Sequence, residues 1–242
     1  MKPVVLFDWG ETLMWIPGMI HDPDKHLACV GQIFDAELRP YLGDAFSHQI
    51  YTPHYLAACK VQIQRSKDTL REHTFADRFA MSFEMAGLKT PPARPVFERM
   101  AGALGDAVGA GAVLLDHAAE VIPELAASYR LGVVSNYPQG PVVGATLERF
   151  GLRKHFEVVV VSSETQWMKP HAGCYRPALD ALQAIPSRTL MVGDDLRNDV
   201  KGAKALGLHA AWLAPGKPPV PEADIHLETL AELPAICKRL FA

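Results

Sequence analysis

The chain begins with a short apolar segment that ends in an aspartate. Residues 4–7 read Val-Val-Leu-Phe, and Asp8 follows them directly. A short, β-branched apolar run bounded by polar residues is typical of a fully buried strand. In open α/β sheets, ligands bind outside the carboxyl ends of the strands. Asp8 therefore stands either where chemistry would take place or in a simple turn, where aspartate is also common.

Three further apolar segments run into polar side chains. They are residues 132–134 before Ser135 and Asn136, residues 158–161 followed shortly by Lys169, and residues 190–192 before Gly193, Asp194 and Asp195, with Asp199 beyond. Helix-length segments separate them, which is the βαβ pattern of a parallel sheet. Because the carboxyl ends of parallel strands meet at one edge, we expect these polar groups to converge there.

These four segments, in this order, resemble those of the haloacid dehalogenase-like (HAD) hydrolase superfamily. The resemblance covers most of the chain and extends to residues 150–152 and 201–207. It implies a doubly wound parallel sheet, a Rossmann-like α/β core, in which Asp8 is the nucleophile. It further implies a phosphatase that acts on a small phosphorylated substrate through an aspartyl-phosphate. The residues that would hold the phosphoryl group are Thr12, Ser135, Asn136 and Lys169.

The resemblance also implies a magnesium site at this edge of the sheet. Asp8 and Asp194 would supply carboxylate oxygens, and Gly10 would supply its backbone carbonyl. Mg²⁺ prefers such hard oxygen ligands and neutralises the charge of phosphoryl oxygens. Asp199 either adds a metal ligand or orients a neighbouring group. An aspartate at that position is also favoured by the dipole of a helix start.

The segment after the first motif shows helical patterns and no β-rich run. Thr74 is predicted to cap a helix that begins at Phe75, and Gly87 to end it. The prolines at 91, 92 and 95 then break the pattern and start the next helix. The family inserts a helical cap domain at this place in the chain.

We therefore predict two domains. The α/β core comprises residues 1–16 and 112–242, and the helical cap comprises residues 17–111. The linkers are predicted at residues 22–24 and 109–111, which contain Pro-Asp and Gly-Ala-Gly sequences.

One position departs from the family pattern. HAD phosphatases usually carry Asp-x-Asp-x-Thr in the first motif, and the second aspartate is the general acid and base. Here that position is Gly10, followed by Glu11. Glycine still provides the backbone carbonyl as a metal ligand, but it has no side chain that could transfer a proton. A positioned acid-base group typically raises the rate by about 10²–10⁴.

Three alternatives for the missing proton shuttle stay open. Glu11 takes it over, although a side chain one position along an extended backbone points to the other side. A cap residue such as His48, His54 or Lys60 supplies the proton. Otherwise the enzyme is slow, or its substrate has a leaving group that needs no acid.

Other activities within the superfamily fit less well. Haloacid dehalogenases lack the acidic fourth motif, whereas this chain keeps Asp194 and Asp195. Phosphonoacetaldehyde hydrolases share the Asp-Trp start, but they need a cap lysine and a different second motif. The main alternative from another class is a catalytically impaired HAD-like protein that binds a phosphorylated ligand or partner.

The composition of the chain excludes several other classes of protein. The chain has 242 residues, 49% of them apolar, and a formal net charge of −3 with no basic stripe, which argues against nucleic acid as a partner. Its longest apolar runs have strand length, which argues against a membrane span. The first three residues lead directly into a strand, unlike a signal peptide. Four scattered cysteines indicate free thiols in a reducing cytoplasm, and we expect a monomer or homodimer.

Overall fold

The protein consists of two compact units. The structure, a computed structural model, describes residues 2–16, 23–43, 47–88 and 91–242. One unit, the core unit, comprises Met1–Trp15 and Val113–Ala242, and the other, the helical insertion, comprises Ile16–Ala112.

The core unit is built on a six-stranded parallel sheet with the order β5-β4-β1-β6-β7-β8. The strands are β1 (Val4–Phe7), β2 (Met14–Trp15), β3 (Val113–Leu114), β4 (Arg130–Ser135), β5 (Val158–Val161), β6 (Thr189–Gly193), β7 (His209–Leu213) and β8 (Ile225–Leu227). The short strands β2 and β3 form a separate antiparallel pair. The predicted doubly wound parallel sheet is confirmed.

The central position of β1 follows from its sequence. All four of its residues are apolar and at most 2% exposed, because β4 and β6 flank it and helices cover the sheet. Phe7 is in register with Val133 on one side and with Val192 on the other. Asp8 is thus the first residue after the central strand. The strands that follow β1 in the chain lie on both sides of it, so the order of the strands reverses at this point.

Helices account for most of the remaining chain. The insertion contains α1 (Pro23–Leu42), α2 (His48–Thr69), α3 (Phe75–Met85) and α4 (Arg94–Gly111). The core unit contains α5 (Ala118–Ser128), α6 (Gly140–Arg149), α7 (Ser162–Thr165), α8 (Ala172–Ala181), α9 (Gly202–Ala205) and α10 (Leu233–Leu240), together with a π-helical turn at Leu196–Lys201. Within the described ranges, no helix has both the length and the apolar character needed to cross a membrane.

The insertion has its own core, formed mainly by aromatic side chains. Phe34 packs edge-on against Tyr55 and Phe79, and Tyr51 stacks on Phe83. The predicted cap at Thr74 is confirmed, because its side chain and that of Asp77 exchange hydrogen bonds with each other's backbone N–H groups.

The predicted linkers need correction. Residues 109–111 are the last residues of α4, and Pro23 and Asp24 are the first residues of α1. Asp22 and Pro17 lie outside the described residues. Proline is well tolerated in the first turn of a helix, where its missing N–H would have no partner, so a Pro-Asp sequence marks a helix start here.

Candidate active site

Three carboxylates, one from the start of the chain and two from a segment near residue 195, meet at the carboxyl edge of the sheet. Asp8 follows β1, Asp194 follows β6, and Asp199 lies in the π-helical turn beyond it. One oxygen of each lies within 4.8 Å of the others. Asp8 and Asp194 are partly accessible, whereas Asp199 is 1% exposed. The arrangement is a compact acidic site with one buried member.

Lys169 joins two of these carboxylates. Its Nζ lies 2.9 Å from Asp8 Oδ1 and 2.7 Å from Asp199 Oδ1, and it donates a third hydrogen bond to the Val134 carbonyl at 2.7 Å. The Lys169 side chain is 1% exposed. All three protons of the ammonium are therefore used, and the charge of the lysine is directed at Asp8 and Asp199.

Burial and neighbouring charges shift the pKa values of this site. Burial alone would lower the pKa of Lys169, but Asp199 and Asp8 outweigh it, so the net pKa is raised. Burial, followed by repulsion from Asp8, raises the pKa of Asp194 to about 7. Burial also raises the pKa of Asp199, together with repulsion from Asp8 and Asp194 and against the opposing effect of Lys169. One lysine does not neutralise three carboxylates, so the site favours an additional cation.

Asp199 is held from three sides. Its Oδ1 accepts from Lys169, and its Oδ2 accepts the backbone N–H of Asp195 at 3.1 Å. Gly193 lies against it so closely that a Cβ there would overlap the Asp199 carboxylate. Of the two alternatives for Asp199, its hydrogen bonds favour the one in which it orients a neighbour, here Lys169.

Asp194 is positioned by a residue of the turn between β1 and β2 and by a residue of β7. Thr12 is fully buried, and its hydroxyl donates to Asp194 Oδ1 at 3.3 Å. The indole N–H of Trp212, at the end of β7, donates to the Asp194 carbonyl at 2.8 Å. Thr12 thus contacts the acidic site through Asp194.

Ser135 is the last residue of β4, the strand that pairs with β1, and Asn136 follows it. Ser135 is 1% exposed and pairs with Val161 of β5. The Asn136 side chain donates to the Lys169 carbonyl at 3.0 Å and accepts the Lys169 backbone N–H at 2.6 Å. Because both ends of that amide are occupied, Asn136 fixes the backbone of Lys169.

The loop after β1 is anchored by residues that sequence reasoning missed. The backbone N–H of Trp9 donates to Asp8 Oδ1 at 2.7 Å. The indole of Trp9 is 1% exposed, donates to Thr146 Oγ1 of α6 at 3.0 Å, and packs edge-on against Tyr137. The separation of 137 residues between Trp9 and Thr146 leaves no local pattern that could have indicated this contact.

Gly10 and Glu11 lie in a tight turn beside Asp8. Glu11 has a φ of 53°, and its N–H donates to the Met14 carbonyl at 2.8 Å. The backbone at Glu11 is therefore left-handed and not extended, so the expectation of an extended backbone is wrong. The direction of the Glu11 side chain does not follow from strand alternation. A Cβ at Gly10 would meet no atom within 4 Å. The cap candidates His48, His54 and Lys60 all lie on α2 of the helical insertion.

The parallel sheet brings an aspartate, a buried lysine and a second acidic group together where the strand order reverses. Such a site is typical of an α/β enzyme whose chemistry is centred on the aspartate. The chain belongs to the haloacid dehalogenase-like hydrolase family. The model of that family matches residues 92–213, which include the strand ends that carry Ser135, Lys169 and Asp194.

Individual relatives and solved structures agree with this assignment. The chain is 36% identical over 124 residues to phosphoglycolate phosphatase of Salmonella typhimurium, covering 51% of this chain and 47% of that protein. It thus spans about half the length of that relative. It is 29% identical over 222 residues to ribulose-1,5-bisphosphate 5-phosphatase of Halopiger xanaduensis, covering 90% of this chain and 87% of that protein. A HAD phosphatase structure from Thermococcus onnurineus shares the fold, with a TM-score of 0.66, 24% identity and coverage of 98% and 97%.

Proposed function

We propose that this hydrolase is a magnesium-dependent phosphatase that acts on a small phosphorylated metabolite through an aspartyl-phosphate at Asp8. The names of its relatives support this substrate class, because they include phosphatases of phosphoglycolate and ribulose bisphosphate. The acidic site with its single buried lysine supports the chemistry.

The environment of the Asp8 carboxylate carries the proposal. Its Oδ1 receives both the Lys169 ammonium, at 2.9 Å, and the Trp9 N–H, at 2.7 Å. Its Oδ2 has no hydrogen-bond partner among the described residues. One oxygen is therefore fixed, and the other is free to attack a phosphorus atom, as a nucleophilic carboxylate requires.

The reaction has two steps at Asp8. In the first, Asp8 Oδ2 forms a bond to phosphorus, the bond to the leaving oxygen breaks, and that oxygen takes up a proton. In the second, a water attacks the same phosphorus and loses a proton, and the Asp8–phosphorus bond breaks to release phosphate. Lys169 and the N–H groups after β4 stabilise the negative charge of the phosphoryl oxygens in both steps.

The residues present fit a magnesium ion. Asp8, Asp194 and the Gly10 carbonyl offer hard oxygen donors, and burial, followed by repulsion from Asp8, raises the pKa of Asp194, as is expected where a cation can bind beside it. Asp199 is the remaining candidate ligand. When bound, the ion neutralises phosphoryl charge and makes the phosphorus more open to attack.

A second candidate function is supported by Gly10. Without an acid and base at this position, an HAD-like protein can bind a phosphorylated ligand and turn it over feebly or not at all. The two candidates share the binding site and differ in whether Asp8 becomes phosphorylated.

The test is magnesium-dependent hydrolysis of an aryl phosphate by the native protein, Asp8→Asn and Asp180→Asn. Asp180 is an exposed residue of α8 and serves as the matched control. We expect Asp8→Asn to lose all activity above background and Asp180→Asn to keep it. Equal activity of Asp8→Asn and the native protein would refute the proposal, and no activity in native protein that still binds phosphate would favour the second candidate.

A further inference from the structure

The helical insertion contains a polar cluster separate from the acidic site. It consists of His26 and Cys29 of α1, Tyr55 and Cys59 of α2, and Arg78 of α3, and we call it the Arg78 cluster. Spacings of three and four residues place the first two on one face of α1 and the next two on one face of α2. His26 stacks on Tyr55 with ring centroids 5.8 Å apart.

Arg78 has no carboxylate partner among the described residues. Other arginines of the insertion do: Arg39 pairs with Asp35, Arg94 with Asp77 and Glu98, and Arg99 with Glu37. The Arg78 side chain is half-buried, its Cζ lies 5.2 Å from the centre of the Phe75 ring, and its Nε–H is buried without an acceptor. Leaving a charged donor in this state is costly.

Tyr55 adds a second donor that lacks an oxygen or nitrogen acceptor. Its side chain is fully buried, and among the described residues its hydroxyl interacts with the Cys59 thiol, a weak acceptor, and has no oxygen or nitrogen partner. His26, Cys29, Cys59 and Arg78 are only half-buried, so solvent reaches the edge of the cluster around this tyrosine.

The titratable neighbours do not neutralise Arg78. Burial, and then the charge of Arg78, lower the pKa of His26, so the imidazole is neutral. Burial raises the pKa of Cys59 against the opposing effect of Arg78, and burial raises that of Cys29. The Tyr55 pKa is raised well above its usual value by burial. Among the described residues, the cluster therefore holds the positive charge of Arg78 with no carboxylate beside it, next to the neutral side chains of His26, Tyr55 and the two cysteines.

We propose that the Arg78 cluster is a binding site for a small oxyanion, a carboxylate or a phosphate group. A guanidinium presents a planar set of donors that matches two oxygens of such a group, and a bound anion supplies the acceptors that the cluster lacks. None of its residues belongs to the acidic site of the core unit, so the test of this proposal does not depend on the phosphatase reaction.

Alkylation of Cys59 provides a local readout. The full-length native protein is treated with iodoacetamide, and modification of the Cys59 peptide is followed by mass spectrometry. Inorganic phosphate and malonate are the probes, and sodium chloride of equal ionic strength is the control. We expect phosphate, malonate or both to slow the reaction severalfold, and the effective probe identifies the preferred oxyanion. Absence of protection by either probe would overturn the proposal.

Arg78→Met is the decisive variant, and Arg94→Met is its matched control, since Arg94 is already paired with carboxylates. Protection should vanish in Arg78→Met and persist in Arg94→Met. Protection that survives in Arg78→Met would overturn the proposal. Because Arg78→Met removes an unpaired charge, its Tm without anion should not fall. If Arg78→Met nevertheless unfolds, Arg78→Lys takes its place. Lysine keeps the positive charge but lacks the planar pair of donors of the guanidinium, so undiminished protection in Arg78→Lys would contradict bidentate binding.

Discussion

The Cα of Gly193 lies directly against the carboxylate of Asp199, at the junction between β6 and the π-helical turn that follows it. A methyl group at Gly193 would occupy the space of the Asp199 side chain. Asp199 in turn binds the ammonium of Lys169 at 2.7 Å, and the same ammonium binds Asp8. The absence of a side chain at Gly193 is therefore linked through Asp199 to the position of the nucleophile.

Gly193→Ala should displace Asp199 and weaken the hold on Lys169. We expect a loss of about 2 kcal/mol or more in the free energy of unfolding, as for other disrupted buried ion pairs, and a large fall in aryl phosphatase activity. Gly144→Ala is the control, because a Cβ at this position of α6 meets no atom within 4 Å. It should be neutral or stabilising by up to about 1 kcal/mol. Equal effects of the two substitutions would contradict the role of Gly193.

The contact between Trp9 and Thr146 predicts a non-additive pair of substitutions. Thr146→Val leaves the buried indole N–H of Trp9 without its acceptor, which should cost about 1–3 kcal/mol of unfolding free energy. In Trp9→Phe the N–H is already absent, so adding Thr146→Val should cost much less. Urea denaturation of the four proteins of this cycle measures the coupling, and strictly additive losses would show that the hydrogen bond is unimportant.

The strand ends that carry Asp8, Ser135 and Asp194 could be predicted because buried parallel strands have contiguous apolar sequences and end at one edge. The helical insertion was equally readable from its periodicity. The contact between Gly193 and Asp199 could not be predicted from the sequence, because it depends on a π-helical turn that no hydrophobic periodicity indicates. The hydrogen bonds of the Asn136 side chain to the Lys169 backbone could not be predicted either, because they depend on how the segments after β4 and β5 meet.

The raised pKa of Asp194 predicts a pH-dependent stability for the metal-free protein. The folded state raises this pKa from 3.8 to about 7, so it retains a proton that the unfolded chain has released. Stability should therefore fall as pH rises from about 4 to about 7, by up to about 4 kcal/mol for Asp194. Asp194→Asn should reduce this fall, with Asp199 responsible for the remainder, because its pKa is raised in the same direction.

Magnesium should counteract the loss of stability at higher pH. The ion competes with the proton for Asp194, so its affinity should increase as pH rises towards 8, and saturating magnesium should flatten the stability profile. Titration calorimetry at pH 6 and pH 8 measures this, with Asp194→Asn expected to bind weakly at both. A magnesium affinity that is independent of pH, or unchanged in Asp194→Asn, would contradict the assignment.

The open space at Gly10 allows the missing acid to be restored. Gly10→Asp should fit without steric conflict and raise the hydrolysis rate of an alkyl phosphate by about tenfold or more, while an aryl phosphate, whose leaving group needs no proton, gains less. Glu11→Gln distinguishes the alternatives: it should depress only the alkyl rate if Glu11 supplies the proton. Unchanged rates in both variants would assign the proton transfer to another residue.

The formation of an aspartyl-phosphate at Asp8 is tested most directly by rapid mixing of the magnesium-loaded protein with an excess of aryl phosphate. The first step needs no acid with this leaving group, whereas the second needs a base to activate water, which Gly10 cannot provide. We therefore predict a burst of one phenolate per active site, followed by slow turnover. Acid-quenched samples should carry a phosphoryl group on the peptide that contains Asp8, and Asp8→Asn should show neither signal. Steady turnover with no burst and no phosphorylated peptide, or a burst that persists in Asp8→Asn, would contradict nucleophilic attack by Asp8.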